Sequence, residues 1–144
     1  MRVRDIIRSK GSDVAVASPD DTISDAIRML SEWRIGALVV SGESGSVDGI
    51  LSERDVVRHL HGGADTMQQR VGELMTTDVV TCGHDDTIAE LMELMTERRI
   101  RHLPVLADEG ELIGIISIGD VVKARLAELE DERKHLEDYI TTGR

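Results

Sequence analysis

The sequence repeats itself. Asp20, Asp21, Thr22 and Ile23 return as Asp85, Asp86, Thr87 and Ile88, 65 residues later. At the same offset Arg34 and Ile35 meet Arg99 and Ile100, Leu38 meets Leu103, and Val40 meets Val105. Gly49 then meets Gly114, Ile50 meets Ile115, Ser52 meets Ser117, and Asp55, Val56 and Val57 meet Asp120, Val121 and Val122. No gap interrupts this register between Asp13 and Val57. Upstream, residues 3–7 resemble 71–75 at an offset of 68, so the first copy carries three extra residues near 9–12. Each copy must therefore be one supersecondary unit, and neither is large enough to bury a stable core alone. The expectation is two units related by a pseudo-two-fold, packed face to face over one shared core, with two related clefts between them.

Both copies show the same order of local signals. An extended piece comes first, at 14–17 and at 79–81. Thr22 with Asp25, and Thr87 with Glu90, form helix-start pairs. Apolar residues then recur at helical spacing: Ile23, Ala26, Ile27, Leu30, and Ile88, Leu91, Met92, Met95. Two apolar runs follow, 37–40 and 49–51, joined by a Gly- and Ser-rich turn at 41–46 that predicts a hairpin. The second copy repeats this at 103–106, 107–111 and 112–116. A last helix starts at Ser52 or Ser117, each three residues before an Asp. The fold class is α/β (α+β): two tandem β-α-β-β-α repeats at 1–62 and 71–126, a linker at 63–70, and a helical extension at 127–144. In that extension Val122, Leu126, Leu129, Arg133, Leu136 and Ile140 step by 4, 3, 4, 3 and 4, a heptad-like seam. Its two readings are packing on its own domain, and a surface for a second copy or a partner.

Composition narrows the function. The net charge of -11 opposes nucleic acid and anionic membranes. One local cluster, Arg98, Arg99, Arg101 and His102, remains suited to a small anion. No apolar run approaches the roughly 18–20 residues of a membrane span, and residues 1–13 carry no signal-peptide stretch. Cys82 is the lone cysteine, which excludes an internal disulfide and fits a reducing, cytoplasmic home. Cys82 beside His84 reads as a core thiol rather than a catalytic pair. Asp85 and Asp86 near His84 have no second ligand cluster at metal spacing. Gly42, Gly45 and Gly49 sit in a hairpin, not before a helix, and so do not make a dinucleotide fingerprint. Neither catalysis nor a bound metal is expected.

The run Gly114, Ile115, Ile116, Ser117, Ile118, Gly119, Asp120, together with Arg99, Ile100, Arg101, His102, Leu103, Pro104, Val105, resembles the CBS domain, named for cystathionine β-synthase. The first copy shows the same pattern at 34–40 and 49–55. The whole chain is similar to a stand-alone bacterial or archaeal CBS pair. The resemblance implies a regulatory module that binds an adenosine ligand, such as AMP, ATP, NAD(H) or S-adenosylmethionine, in clefts between the repeats. It also implies a homodimer shaped as a flat disk and an output through a separate, unidentified effector protein. A ligand-independent dimerisation scaffold is the alternative.

That resemblance gives the polar residues their roles. Asp55 and Asp120 would accept hydrogen bonds from ribose hydroxyls. Ser52 and Ser117, at strand-to-helix corners, would face a phosphate at a helix N-terminus. Arg54, Arg101 and His102 would neutralise phosphate charge. The first site is then Val14, Val16, Ile35, Gly36, Ala37, Ser52, Arg54 and Asp55. The second is Val79, Thr81, Ile100, Arg101, His102, Pro104, Ser117, Ile118, Gly119 and Asp120. Carbonyls around Gly36 and Arg101 would read the edge of the base. Helix capping by the Ser and Asp pairs, a packed His102, and Arg98 and Arg99 as surface partners of Glu93 and Glu97 are the plainer readings. The sites are unequal: Gly36 and Ala37 stand where the second copy has Arg101 and His102, and Gly119 stands where the first has Arg54.

Overall fold

The duplication is carried into three dimensions strand by strand. A computed structural model describes residues 1–42 and 45–143, so part of the turn expected at 41–46 lies outside the described residues. The first half runs α1 (Val3–Lys10), β1 (Val16–Ala17), α2 (Ile23–Trp33), β2 (Ala37–Val40), β3 (Gly49–Ser52) and α3 (Glu53–Leu60). The second runs α4 (Val71–Leu74), β4 (Cys82–Gly83), α5 (Ile88–Arg98), β5 (His102–Leu106), β6 (Leu112–Ser117) and α6 (Ile118–Thr142). Each half holds a three-stranded sheet with its second strand central, parallel to the first and antiparallel to the third. Ala17 pairs with Val40 and Leu38 with Leu51; Cys82 pairs with Val105 and Leu103 with Ile116. These are the same pairs displaced by 65 positions.

The helix starts follow the sequence signals. Thr22 accepts the Asp25 N–H at 3.1 Å and Thr87 accepts the Glu90 N–H at 3.2 Å, while each acid reaches back to the capping residue's own N–H. Such a cap contributes about 1 kcal/mol. Both helices end on an arginine in the left-handed region, Arg34 at φ 53° and Arg99 at φ 54°. That conformation is costly for a residue with a Cβ, and it turns the chain directly into the central strands. The leading strands are shorter and later than expected, at 16–17 and 82–83. Their parallel partners begin only at Val39 and Val105, so the residues before them find no ladder. The expected linker 63–70 contains a 3-10 turn, Ala64–Gln68, anchored where the buried Thr66 hydroxyl donates to the His59 carbonyl at 3.0 Å.

The expectation of one shared core is corrected. There are two cores, and the leading helices are exchanged between them. Val3 and Ile6 of α1 pack with Ile88, Leu91, Leu103, Val105 and Ile116 of the second half. Val71 and Leu74 of α4 pack with Ile23, Ala26, Leu38, Val40 and Leu51 of the first. The backbone repeats the exchange: the Val3 N–H donates to the Asp86 carbonyl at 2.9 Å, and the Val71 N–H to the Asp21 carbonyl at 2.8 Å. Two glycines make the docking possible. A Cβ at Gly114 would lie 2.5 Å from Ile7 Cδ1, and one at Gly49 would lie 2.6 Å from Met75 Sδ. Each small unit thus completes its core with a piece of the other, which answers the shortage of apolar surface in a single copy.

Ala124 is the last buried residue of helix α6, and Glu128, one turn on, still pairs with the Met1 ammonium at 2.9 Å. The seam beyond is open, with Leu126 62%, Leu136 64% and Ile140 64% exposed. Of the two readings of the tail, the exposed seam supports a surface for a second copy or a partner over packing on its own domain.

Candidate functional site

Two strand-to-helix corners hold the polar residues singled out in the sequence. At the first, Ser52 Oγ accepts the Asp55 N–H at 3.2 Å and donates to Asp55 Oδ2 at 3.0 Å, and the Ser52 N–H donates to the same oxygen at 2.9 Å. Ser117 and Asp120 repeat these three bonds at 3.2, 3.0 and 2.9 Å. The capping role is therefore realised at both corners. It engages one carboxylate oxygen of each aspartate, and at both Asp55 and Asp120 the described side-chain hydrogen bonds all fall on Oδ2. The corners also engage two carbonyls expected to face a base: Gly36 accepts from the Glu53 N–H at 2.9 Å and Arg101 from the Ile118 N–H at 2.8 Å.

A cleft of about 490 Å³ opens at the first corner, between the two halves. Ser52, Glu53, Arg54, Asp55 and Arg58 line one wall. Asp78, Val79, Val80, Arg98, Arg99, Ile100, Arg101 and His102 line the other, with Gly36, Ile50 and Thr76 completing it. Five arginines and a histidine thus face three carboxylates inside a chain of net charge -11. A concave cleft of this size with convergent charged groups is the setting of a small-molecule site.

The residues brought together differ from the sets expected from sequence. Each expected site was drawn wholly from one repeat, whereas the cleft joins Gly36, Ser52, Arg54 and Asp55 to Val79, Ile100, Arg101 and His102. The internal offset reveals equivalent positions but not which face of one copy meets which face of the other. Displacing the lining by 65 pairs Ser117, Ile118, Gly119 and Asp120 with Val14, Ile35, Gly36 and Ala37, so the expected sets exchange halves. Ile35 lines a smaller hollow of about 310 Å³ with Ile27, Leu30 and Val56. Ala37 and Pro104 are buried in β2 and β5, and Pro104 precedes the stretch of β5 that pairs with β4. Val16 is exposed on β1, and Thr81 is half-buried just before β4.

Arg98 and Arg99, named in the sequence as part of an anion-suited cluster but left out of the two expected sites, line the cleft, and among the described residues no ion pair joins them to Glu93 or Glu97. Sequence reading missed Arg58. Arg58 lies one helical turn beyond Arg54, a spacing that puts both on one face of α3 and would have flagged it.

His102 explains the glycine opposite it. A Cβ on Gly36 would stand 3.1 Å from His102 Cε1 and 3.3 Å from Glu53 Oε1. Gly36 therefore leaves room for the His102 ring. Burial holds the His102 pKa below its ordinary 6.5; Lys10 and Arg101 push the same way, and Glu53 and Asp120 oppose them. The folded ring prefers to be neutral, so stability is full above 6.5 and falls as the pH drops through that value, where the unfolded chain takes up the proton first. The melting temperature of wild type should drop on acidification from about pH 7 to pH 5, and that of His102→Asn should drop less. Equal slopes would show that His102 is not the buried base.

Cys82 is buried on β4, and its thiol is pushed up to about 12, first by burial and then by Asp86. It is a core residue rather than a nucleophile. No described helix is long and apolar enough to cross a membrane.

A duplicated β-α-β-β-α unit with a charged cleft between its copies defines a paired-repeat module. The chain belongs to the CBS domain family, which matches residues 3–62 and 71–127. It is similar to the crystal structure of a CBS-domain-containing protein from Agrobacterium tumefaciens, at 48% identity and a TM-score of 0.84, covering 87% of this chain and 99% of that one. It is 37% identical to the mitochondrial CBS domain-containing protein CBSX3 of Arabidopsis thaliana, over 98% of this chain and 72% of that protein. It is also similar to CBSX2 in a crystal structure with AMP, at 28% identity and a TM-score of 0.71, covering 80% of this chain and 89% of that one.

Proposed function

We propose that the cleft at Asp55 binds an adenine nucleotide of the AMP, ATP or NAD(H) type, and that the chain is a regulatory sensor rather than an enzyme. The observation that carries this reading is the placing of Asp55, held in its capping box, in a cleft whose two walls carry five arginines. Asp55 accepts the ribose hydroxyls, and Val79, Val80 and Ile100 offer apolar surface to the base. Arg54, Arg58, Arg98, Arg99 and Arg101 meet the phosphates, where bidentate geometry favours Arg over Lys. The AMP complex of CBSX2 supports the ligand class. Binding that favours one conformation or association state would pass the signal to an effector protein. A reducing compartment, the cytoplasm, is the proposed location.

Calorimetric titration with AMP, ATP and adenosine tests the ligand class. Charge-assisted hydrogen bonds contribute about 1.5–3 kcal/mol each, so adenosine should bind at least about tenfold more weakly than AMP. Added salt should weaken AMP more than adenosine. Equal affinities, or none, would overturn the reading. A ligand-independent scaffold is the second reading, favoured by the open seam of α6. A second copy is the proposed cover for that seam, and sedimentation should then give twice the chain mass; the monomer mass would remove it.

A further inference from the structure

The two corners differ in one partner. At the second, the Lys10 ammonium lies 2.6 Å from Asp120 Oδ2 and donates to the Ile115 carbonyl at 2.9 Å. At the first, 65 positions earlier, the Ile50 carbonyl accepts instead from the Thr76 backbone N–H at 2.9 Å. Among the described residues no ion pair reaches Asp55.

The difference traces to the three extra residues of the first copy. Ile7 lies over Gly114 as Met75 lies over Gly49, so α1 and α4 dock alike up to that point. Helix α4 then stops at Leu74, and Met75 and Thr76 run extended along β3. Helix α1 continues to Lys10 before Gly11, at φ 97°, turns the chain away. The added length brings a lysine side chain where the other half places a backbone N–H, and that side chain also reaches the aspartate.

We infer that Lys10 is an internal counterion that closes the Asp120 corner to a nucleotide, so that the chain takes one nucleotide, at Asp55. This rests on the nucleotide reading of the Asp55 cleft. The ammonium shares Asp120 Oδ2 with the Ser117 cap, so a ribose diol would meet a carboxylate whose charge is already paired and would lie beside a Lys10 side chain 34% exposed; displacing that side chain would cost it a charge-assisted bond. Burial alone would raise the Asp120 carboxyl, but hydrogen bonds from Lys10 and the Ser117 N–H, with the Lys10 charge, hold it below its ordinary value. Where the open cleft has Arg98, Arg101, His102 and Arg54, the equivalent positions are Trp33, Gly36, Ala37 and Gly119, while Arg34 and Lys123 stand where it has Arg99 and Arg58. The corner with the lysine thus keeps two of the six cationic positions of the open cleft.

Titration of the full chain with AMP counts the sites. Wild type should take one AMP per chain, Lys10→Met a second and weaker one through the remaining Arg34 and Lys123, and Lys10→Arg, which keeps a cation, one. Two sites in wild type, or one in Lys10→Met, would overturn the inference. One site in both proteins would leave the nucleotide reading of the Asp55 cleft intact, whereas no binding by either protein would remove both. A readout on wild type alone guards against a misfolded variant: acetylation of Lys10, followed by mass spectrometry, should be unchanged at AMP saturation. Faster acetylation with AMP bound would mean that the ligand displaces Lys10, and the inference would fall.

Discussion

Asp55→Asn is expected to weaken AMP binding by at least about tenfold, while Asp120→Asn leaves it nearly unchanged. The two residues make the same capping bonds at the same distances, so the local fold predicts equal effects. Their surroundings do not. Asp55 faces the arginine-lined cleft, and Asp120 is paired with Lys10. A hydrogen bond to a charged group contributes about 1.5–3 kcal/mol, and the ribose offers two donors, so the loss of charge at Asp55 costs one to a few powers of ten in affinity. Asparagine keeps the size of the side chain and an oxygen for the Ser52 N–H. The free protein should therefore melt within the range of a lost cap, about 1 kcal/mol. Calorimetry on the two variants checks this, and equal losses would show that the corners are equivalent.

Leu74→Ala should destabilise the first repeat, although Leu74 belongs to the second by sequence. Its side chain is buried with Ile23, Leu38 and Leu51. A buried Leu or Ile cut to Ala costs about 2–5 kcal/mol, through lost burial and the cavity left behind. That is a large part of the roughly 5–15 kcal/mol that holds a domain of this size. Ile6→Ala is the mirror experiment, since Ile6 sits in the core of Ile88, Leu103 and Ile116. Amide hydrogen exchange reads where the loss falls. Protection should drop in β2 and β3 for Leu74→Ala, and in β5 and β6 for Ile6→Ala. Loss confined to each residue's own repeat would contradict the exchange of leading helices.

The repeat register made much of this legible. Strand pairing, hairpins and helix starts follow from local rules, and they hold in both halves because Thr22, Thr87, Ser52 and Ser117 supply the same caps. The exchange of α1 and α4 was not legible. Residues 3–7 and 71–75 are as apolar whichever core they enter, and sequence carries no sign of the choice. The composite cleft was hidden for the same reason: an offset of 65 says that Asp55 and Asp120 are equivalent, not that Asp55 faces Arg99. The three extra residues near 9–12 were visible, but only the continuation of α1 through Lys10 shows that their length is spent on reaching Asp120. Arg34 and Arg99 were visible as a matched pair, while their left-handed turns were not, because arginine carries no preference for that conformation.

The central claim is that the Asp55 cleft holds an adenine nucleotide, and thermal melting of the purified chain against AMP, ADP, ATP, NAD, NADH and S-adenosylmethionine tests it most directly. A ligand bound only by the native state raises stability by RT ln(1 + [L]/Kd), about 2.7 kcal/mol at a hundredfold excess over Kd. A clear rise in melting temperature is expected with at least one phosphate-bearing adenine ligand, cut by about half or more in Asp55→Asn, since a tenfold weaker Kd removes about 1.4 kcal/mol. No rise with any of them at millimolar concentration, or an equal rise in Asp55→Asn, would contradict the claim.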